Sequence, residues 1–266
     1  MKQFLFREPE RLISPPAPQL RHAVVKDEFW ILVNGIATTT AIAQSNADCL
    51  YRLFGRPIWI CYNPTDGILV DILECIVDKI GWGAQFWETK PRATLAQILQ
   101  RALTQAQQGV YTRVVVVAHS QGTIITSAVL RDMLGGNQWS NLKDASRKYL
   151  QVYCLADCAH QMIVQDAQGI QIVNYLENVT NGLDTVAWLG VLFPFPSFWQ
   201  DQKGQGIVIQ GSKVKEPDLW GHFLNIHYLE PFAKGSYPFS RLNSYRNGRK
   251  PPAAIGYEFM QTVTSE

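Results

Sequence analysis

Val114-Val115-Val116-Val117 runs directly into Ala118-His119-Ser120-Gln121-Gly122, and then into Thr123-Ile124-Ile125-Thr126-Ser127-Ala128-Val129-Leu130. An unbroken run of β-branched residues reads as a strand buried on both faces, because a half-exposed strand would alternate apolar with polar residues. The segment behind it reads as a helix. Between them a serine enters a turn with small residues at 118 and 122. Bulkier side chains there would collide with the neighbouring strand and helix. The pattern therefore predicts a tight, strained strand–turn–helix that exposes the serine hydroxyl and aims its amide and the next one inward.

The rest of the chain carries the same rhythm. Residues 1–24, with Pro15, Pro16 and Pro18, read as an irregular lead-in, and 25–266 as one domain. Phe29–Val33 is an apolar run stopped by Asn34-Gly35, and a helix follows with Ala43, Ala47, Leu50, Tyr51 and Phe54 on one face. Ile58–Tyr62 is a second buried strand, and residues 67–80 and 93–107 read as helices, the latter with Leu95, Ile98, Leu99, Ala102 and Leu103 as its buried stripe. Beyond the serine turn, Tyr149–Leu155, Ile170–Leu176 and a last short run, Gly206–Gln210, read as strands. Helices alternating with apolar strands predict an α/β fold whose mostly parallel sheet is covered on both faces.

Composition narrows the function classes. Hydrophobic residues make up 47% of the chain and charged residues 17%, which fits a large buried core. A net charge of +2 gives no broad electrostatic reason to expect nucleic acid as a partner. The N-terminal residues lack an apolar core of signal-peptide length, and no apolar stretch reaches the roughly 20 residues of a membrane span. Five cysteines in mostly apolar segments read as reduced core thiols, and the spacing of Cys154, Cys158 and His160 matches no zinc pattern. A cytoplasmic protein without cofactor or metal is expected.

A serine hydroxyl is a weak nucleophile at neutral pH. It needs a histidine base, a carboxylate to orient that histidine, and amides aimed at the developing oxyanion. In a parallel sheet these parts come from loops at the carboxyl ends of different strands. The chain resembles the α/β-hydrolase superfamily, in its lipase- and esterase-like branch, over residues 27–232, in the order serine, acid, histidine. Ala118-His119-Ser120-Gln121-Gly122 is similar to the Gly-His-Ser-Gln-Gly elbow of some bacterial lipases, with Ala118 in place of glycine. Val33-Asn34-Gly35-Ile36 stands where those enzymes carry His-Gly and the first oxyanion residue. The resemblance implies Ser120 as nucleophile and the amides of Ile36 and Gln121 as the oxyanion hole. Asn181-Gly182-Leu183-Asp184-Thr185-Val186 resembles the acid loop, which favours Asp184, with Asp157 as the competitor one strand earlier. Gly221-His222 resembles the histidine loop and favours His222 over His227.

The expected activity is hydrolysis of carboxylic esters, lipid-like acyl esters among them, through an acyl-enzyme. The same residues in the presence of a second alcohol would make an acyltransferase. The rival reading is a non-catalytic member of the fold that binds an apolar ligand or a partner. The aromatic and proline-rich stretch 186–204 and residues 81–90 are expected to wall a pocket. The former doubles as a lid that touches a membrane surface transiently. The basic residues Arg241, Arg246, Arg249 and Lys250 read as a solvated tail.

Overall fold

A strand buried on both faces must send alternate side chains into two cores, and β3 (Arg113–His119) does so. Val114, Val116 and Ala118 pack into one core, Val115 and Val117 into the other. Its neighbour β1 (Glu28–Val33) divides in the same way, with Phe29, Ile31 and Val33 on the first side and Trp30 and Leu32 on the second. The structure, a computed structural model, describes residues 23–35, 38–62, 90–192 and 207–252. Within them, β2 (Ile58–Cys61), β4 (Leu150–Leu155), β6 (Tyr175–Leu183) and β8 (Ser212–Trp220) complete a six-stranded sheet in the order β2-β1-β3-β4-β6-β8, parallel throughout. A small second sheet pairs β5 (Gln161–Met162) with β7 (Val208–Ile209).

Helices lie on both faces. α1 (Thr40–Phe54) starts where Thr39 Oγ1 accepts the Ile42 amide at 3.2 Å, and it buries Ala43, Ala47, Leu50 and Phe54 in the second core. α2 (Lys90–Gln107), α3 (Gln121–Gly135) and α4 (Lys143–Tyr149) lie on the other face. The predicted stripe of α2, Leu95 to Leu103, is buried there. That helix begins at Lys90 rather than 93, since a proline such as Pro91 is tolerated in a first turn, where its missing N–H would have no helical partner. Among the described residues no helix is long and apolar enough to cross a membrane.

Three sequence expectations are corrected. The strand expected over 170–176 instead runs from Tyr175 to Leu183, through Glu177, Asn178, Thr180 and Asn181, all of them buried. Hydropathy cannot find such a strand, because its polar side chains are buried, and Glu177, Asn178 and Asn181 take partners that mostly come from far along the chain. Glu177 accepts from Ser240, the Arg241 amide (2.8 Å) and Tyr175 (2.8 Å), and Asn178 Nδ2 donates to the Gln210 carbonyl at 2.9 Å. Second, the run ending at Gln210 contributes only β7 to the small sheet. The last strand of the main sheet is β8, an edge strand with polar residues and Pro217, which suits an edge because proline cannot donate to a ladder. Third, the basic C-terminal stretch is not a solvated tail. Lys250 pairs with Asp27 at 2.6 Å, Arg246 Nη2 reaches the Ala233 carbonyl at 2.5 Å, and the Arg249 carbonyl accepts from Arg56 at 2.5 Å. The lead-in before residue 23, the helix expected over 67–80 and the rim segment up to residue 89 lie outside the described residues.

Arg56 is fully buried at the amino end of the sheet, where it bonds Glu28 at 2.9 Å and the Tyr245 carbonyl at 2.9 Å and lies over the Trp30 and Tyr245 rings. Arg113 holds the other Glu28 oxygen at 2.8 Å. The cluster ties the C-terminal segment to the first strand. Removing one partner of a buried pair leaves an uncompensated charge, so Arg56→Met is expected to lower the unfolding free energy by about 3–5 kcal/mol in urea titration. A loss under about 1 kcal/mol would show that the cluster does not hold this edge.

Candidate active site

The turn after β3 is set by what it must avoid. Ser120 has φ 57° and ψ −129°, a backbone state that costs a non-glycine residue on the order of 1–3 kcal/mol. Its amide donates to the Leu155 carbonyl at 3.1 Å, and its carbonyl accepts from both the amide (2.8 Å) and the hydroxyl (2.7 Å) of Thr123. A Cβ on Gly122 would lie 2.3 Å from the Val33 carbonyl oxygen, and one on Gly35 would lie 2.7 Å from Ser120 Cβ. Both positions admit only hydrogen, because backbone and a strained turn stand in the way. This explains the small residue after the serine and the glycine that ends β1. The hydroxyl is not exposed as expected: Ser120 is 1% accessible, buried beside Gly35, while the His222 side chain is 24% accessible.

Three residues favoured by the sequence meet at the carboxyl ends of three strands. His222 Nε2 lies 2.8 Å from Ser120 Oγ, and His222 Nδ1 lies 2.9 and 3.1 Å from the two carboxylate oxygens of Asp184. A carboxylate only accepts, so Nδ1 carries the proton and Nε2 of the neutral ring is left to accept from the hydroxyl. Asp184 directly follows β6, His222 follows β8 after Gly221, and Ser120 follows β3. Asp184 also accepts from Tyr228 Oη at 2.6 Å and from the amides of Val186 (2.8 Å) and Ala187 (3.3 Å). Burial pushes its carboxyl up, but the bonds from His222, Tyr228 and the Val186 amide outweigh burial and hold it below the ordinary carboxylate value. This arrangement can deprotonate an alcohol and stabilise the imidazolium that results.

The alternatives serve other ends. Asp157 is buried one strand over and accepts the Ala159 amide at 2.9 Å, which makes it a turn-forming aspartate. His227 Nδ1 accepts the Phe223 amide at 2.9 Å, and its ring packs against Trp220 and Phe223, so it braces the loop that carries His222. Gln121 opens α3, and the first-turn amides and positive end of that helix lie beside Ser120. Ile36 lies outside the described residues, as does the expected lid beyond residue 192. The described start of that segment, Ala187–Leu189, is a short helical turn whose first residue donates to Asp184. Among the described residues no group of three or more His, Cys, Asp or Glu is arranged to hold a metal ion. Cys154 and Cys158 are buried.

Neither known protein families nor curated proteins offer a match. Comparison of the chain with family models found none, and a search of the curated proteins found no relative.

Two residues of the site escaped the sequence reading. Tyr228 gives Asp184 its shortest bond, and nothing marks a tyrosine in an apolar helical run as a carboxylate donor before the fold brings it there. His119 stands in the sequence only as the residue before the serine, yet its Nε2 bonds the His222 carbonyl at 2.7 Å.

Because the folded Asp184 carboxyl is depressed, its contribution to stability is present above the ordinary value of 3.8 and is lost as pH falls through the folded value. In urea titrations the parent is expected to exceed Asp184→Asn by about 1–3 kcal/mol near neutral pH, with the gap closing in acid. A gap that does not change with pH would mean that the charge contributes nothing.

Proposed function

We propose that the protein is a serine hydrolase of α/β-hydrolase type that cleaves carboxylic esters. The observation that carries this reading is the continuous bond chain from Ser120 through His222 to Asp184, built on a serine held at positive φ. Strain of that kind persists where the surrounding fold imposes it and a site uses it. The parallel sheet supports the same reading, with serine, acid and histidine following β3, β6 and β8 in the chain order that the sequence resemblance implies.

In this mechanism Ser120 Oγ attacks the ester carbonyl carbon while His222 Nε2 takes the hydroxyl proton. Asp184 keeps the Nδ1 proton in place and stabilises the imidazolium, its own charge held by Tyr228 and the Val186 and Ala187 amides. The oxyanion is received by the Gln121 amide at the start of α3, with Ile36 as the second donor that the resemblance implies. His222 then protonates the departing alkoxide, leaving an acyl-serine. Water, deprotonated by the same nitrogen, releases the acid and restores the serine. An acyl acceptor other than water would turn the same cycle into acyl transfer.

The substrate side is apolar. Trp220 is 68% and Phe223 70% accessible on either side of Gly221-His222, and Leu183 and Trp188 are exposed beside Asp184. Apolar acyl or alcohol groups fit such a surround better than charged ones.

Treatment of the purified protein with a fluorophosphonate is expected to add one phosphonyl group to the Ser120 peptide, read by mass mapping. Ser120→Ala and His222→Ala are expected to abolish the adduct. A folded parent that takes no adduct and cleaves no p-nitrophenyl ester would favour the binding reading. Asp184→Asn is expected to lower kcat by roughly 1,000- to 10,000-fold, and Asp157→Asn by far less. Equal loss in the two variants would move the acid to position 157.

A further inference from the structure

Ser120 and the base meet twice. The ring of His222 takes the Ser120 hydroxyl, and the carbonyl of the same His222 takes a bond of 2.7 Å from Nε2 of His119, the residue just before the serine. The two contacts close a ring: serine to imidazole, imidazole to its own main chain, main chain to His119, and His119 back to the serine through one peptide bond. A carbonyl only accepts, so Nε2 of His119 carries a proton.

The position of the base makes this link consequential. His222 leaves β8, which among the described residues has a strand neighbour, β6, on one side only. Among the described residues the turn around it is held by few bonds: Asn181 Nδ2 to the Gly221 carbonyl at 3.2 Å, His119 to the His222 carbonyl, and Phe223 to His227 through its amide and its carbonyl, both at 2.9 Å. Of these, only the His119 bond comes from the strand that carries the nucleophile. The two imidazoles also lie 4.8 Å apart between centroids, tilted by 32°, with Tyr228 edge-on to His119 at 5.9 Å.

We propose that His119 is a positioning residue, whose Nε2–H holds the main chain of His222 so that its ring stays aligned with Ser120 Oγ. This inference rests on the hydrolase reading above. Burial holds the His119 ring down to about 3, and His222 pushes the same way, so His119 stays neutral at working pH. A permanent cation 4.8 Å from the base would oppose formation of the His222 imidazolium, and a neutral donor avoids that cost.

The test uses the full chain as parent, His119→Phe and His119→Gln. Phenylalanine fills the ring volume without a donor, and glutamine restores an N–H at similar reach. Turnover of p-nitrophenyl butyrate gives kcat and KM, and proton NMR of ¹⁵N-histidine-labelled protein reads the Nδ1–H that His222 shares with Asp184. His119→Phe is expected to lower kcat by about 10- to 100-fold with little change in KM, and to lose the Nδ1–H signal to exchange with water. His119→Gln is expected to keep the signal and recover most of kcat. Parent-like kcat and signal in His119→Phe would overturn the inference, as would an equal fall in both variants with the signal retained in both, since that is the mark of packing alone. If His119→Phe does not fold, the parent carries the test: the neutral Nε2–H tautomer at His119 is expected, and the Nδ1–H tautomer would overturn the inference. A His222 signal that depends on residue 119, in a parent with no esterase activity and no fluorophosphonate adduct, would sink the hydrolase reading and leave the positioning role standing.

Discussion

The approach of Gly122 to the Val33 carbonyl, where a single Cβ would land at 2.3 Å, is the contact on which the site depends. It fixes how close α3 begins to the end of β1, and the pairing of Val33 with Ala118 keeps the two strands in register up to that point. With the helix start pinned, Ser120 has only the positive-φ turn available, and its amide goes to the Leu155 carbonyl at the end of β4. Three neighbouring strands therefore converge on one residue. Strain at a single serine is small against the burial of the sheet around it, where Val114, Val115 and Val116 are fully buried, and so the fold can impose it.

Around that turn the protein places polar groups in a dry setting and gives them partners. Asp184 has four donors, the His222 ring, the Tyr228 hydroxyl and two amides, enough to keep a buried carboxylate ionised. Glu177, on the strand that Asp184 follows, has its charged form disfavoured by burial despite bonds from Ser240, the Arg241 amide and Tyr175. The two carboxylates differ in their neighbours more than in their depth: only Asp184 faces a histidine that can share positive charge. Burial likewise keeps His119 neutral beside His222, the ring that the proposed mechanism would charge.

The polar interior also explains how the C-terminal segment is held. Asn181 bonds the Gly221 and His227 carbonyls and accepts from Tyr237 at 2.5 Å, joining β6 to the turn that carries His222. At the amino end of the sheet, Arg56 joins Glu28 to the Tyr245 and Arg249 carbonyls. One buried polar network thus sits at each end of the sheet, and each fastens the chain beyond β8 to an inner strand.

Strands and helices whose burial depends on apolar side chains were readable from the chain: β1, β2, β3 and β4, the stripe of α2, and the turn at Ser120, where size alone excludes larger residues. Ser120, Asp184 and His222 were singled out by what the resemblance to α/β-hydrolases implies, not by burial or periodicity, and in the structure each follows the end of a parallel strand. The extents of β6 and β8 were not readable. The polar residues of β6 are buried only because Ser240, Gln210 and Tyr237 arrive from far along the chain, and β8 is an edge that one neighbour stabilises. The resemblance favours His222 over His227, yet the spacing of the two, five positions apart, does not by itself say which ring meets Ser120. That choice depends on which ring reaches Ser120 once β8 has ended at Trp220. Local patterns determine which segments can be buried, whereas hydrogen-bond partners distant in sequence exist only after the chain has folded, so the tertiary structure alone decided where the buried polar groups and the His222 ring would lie.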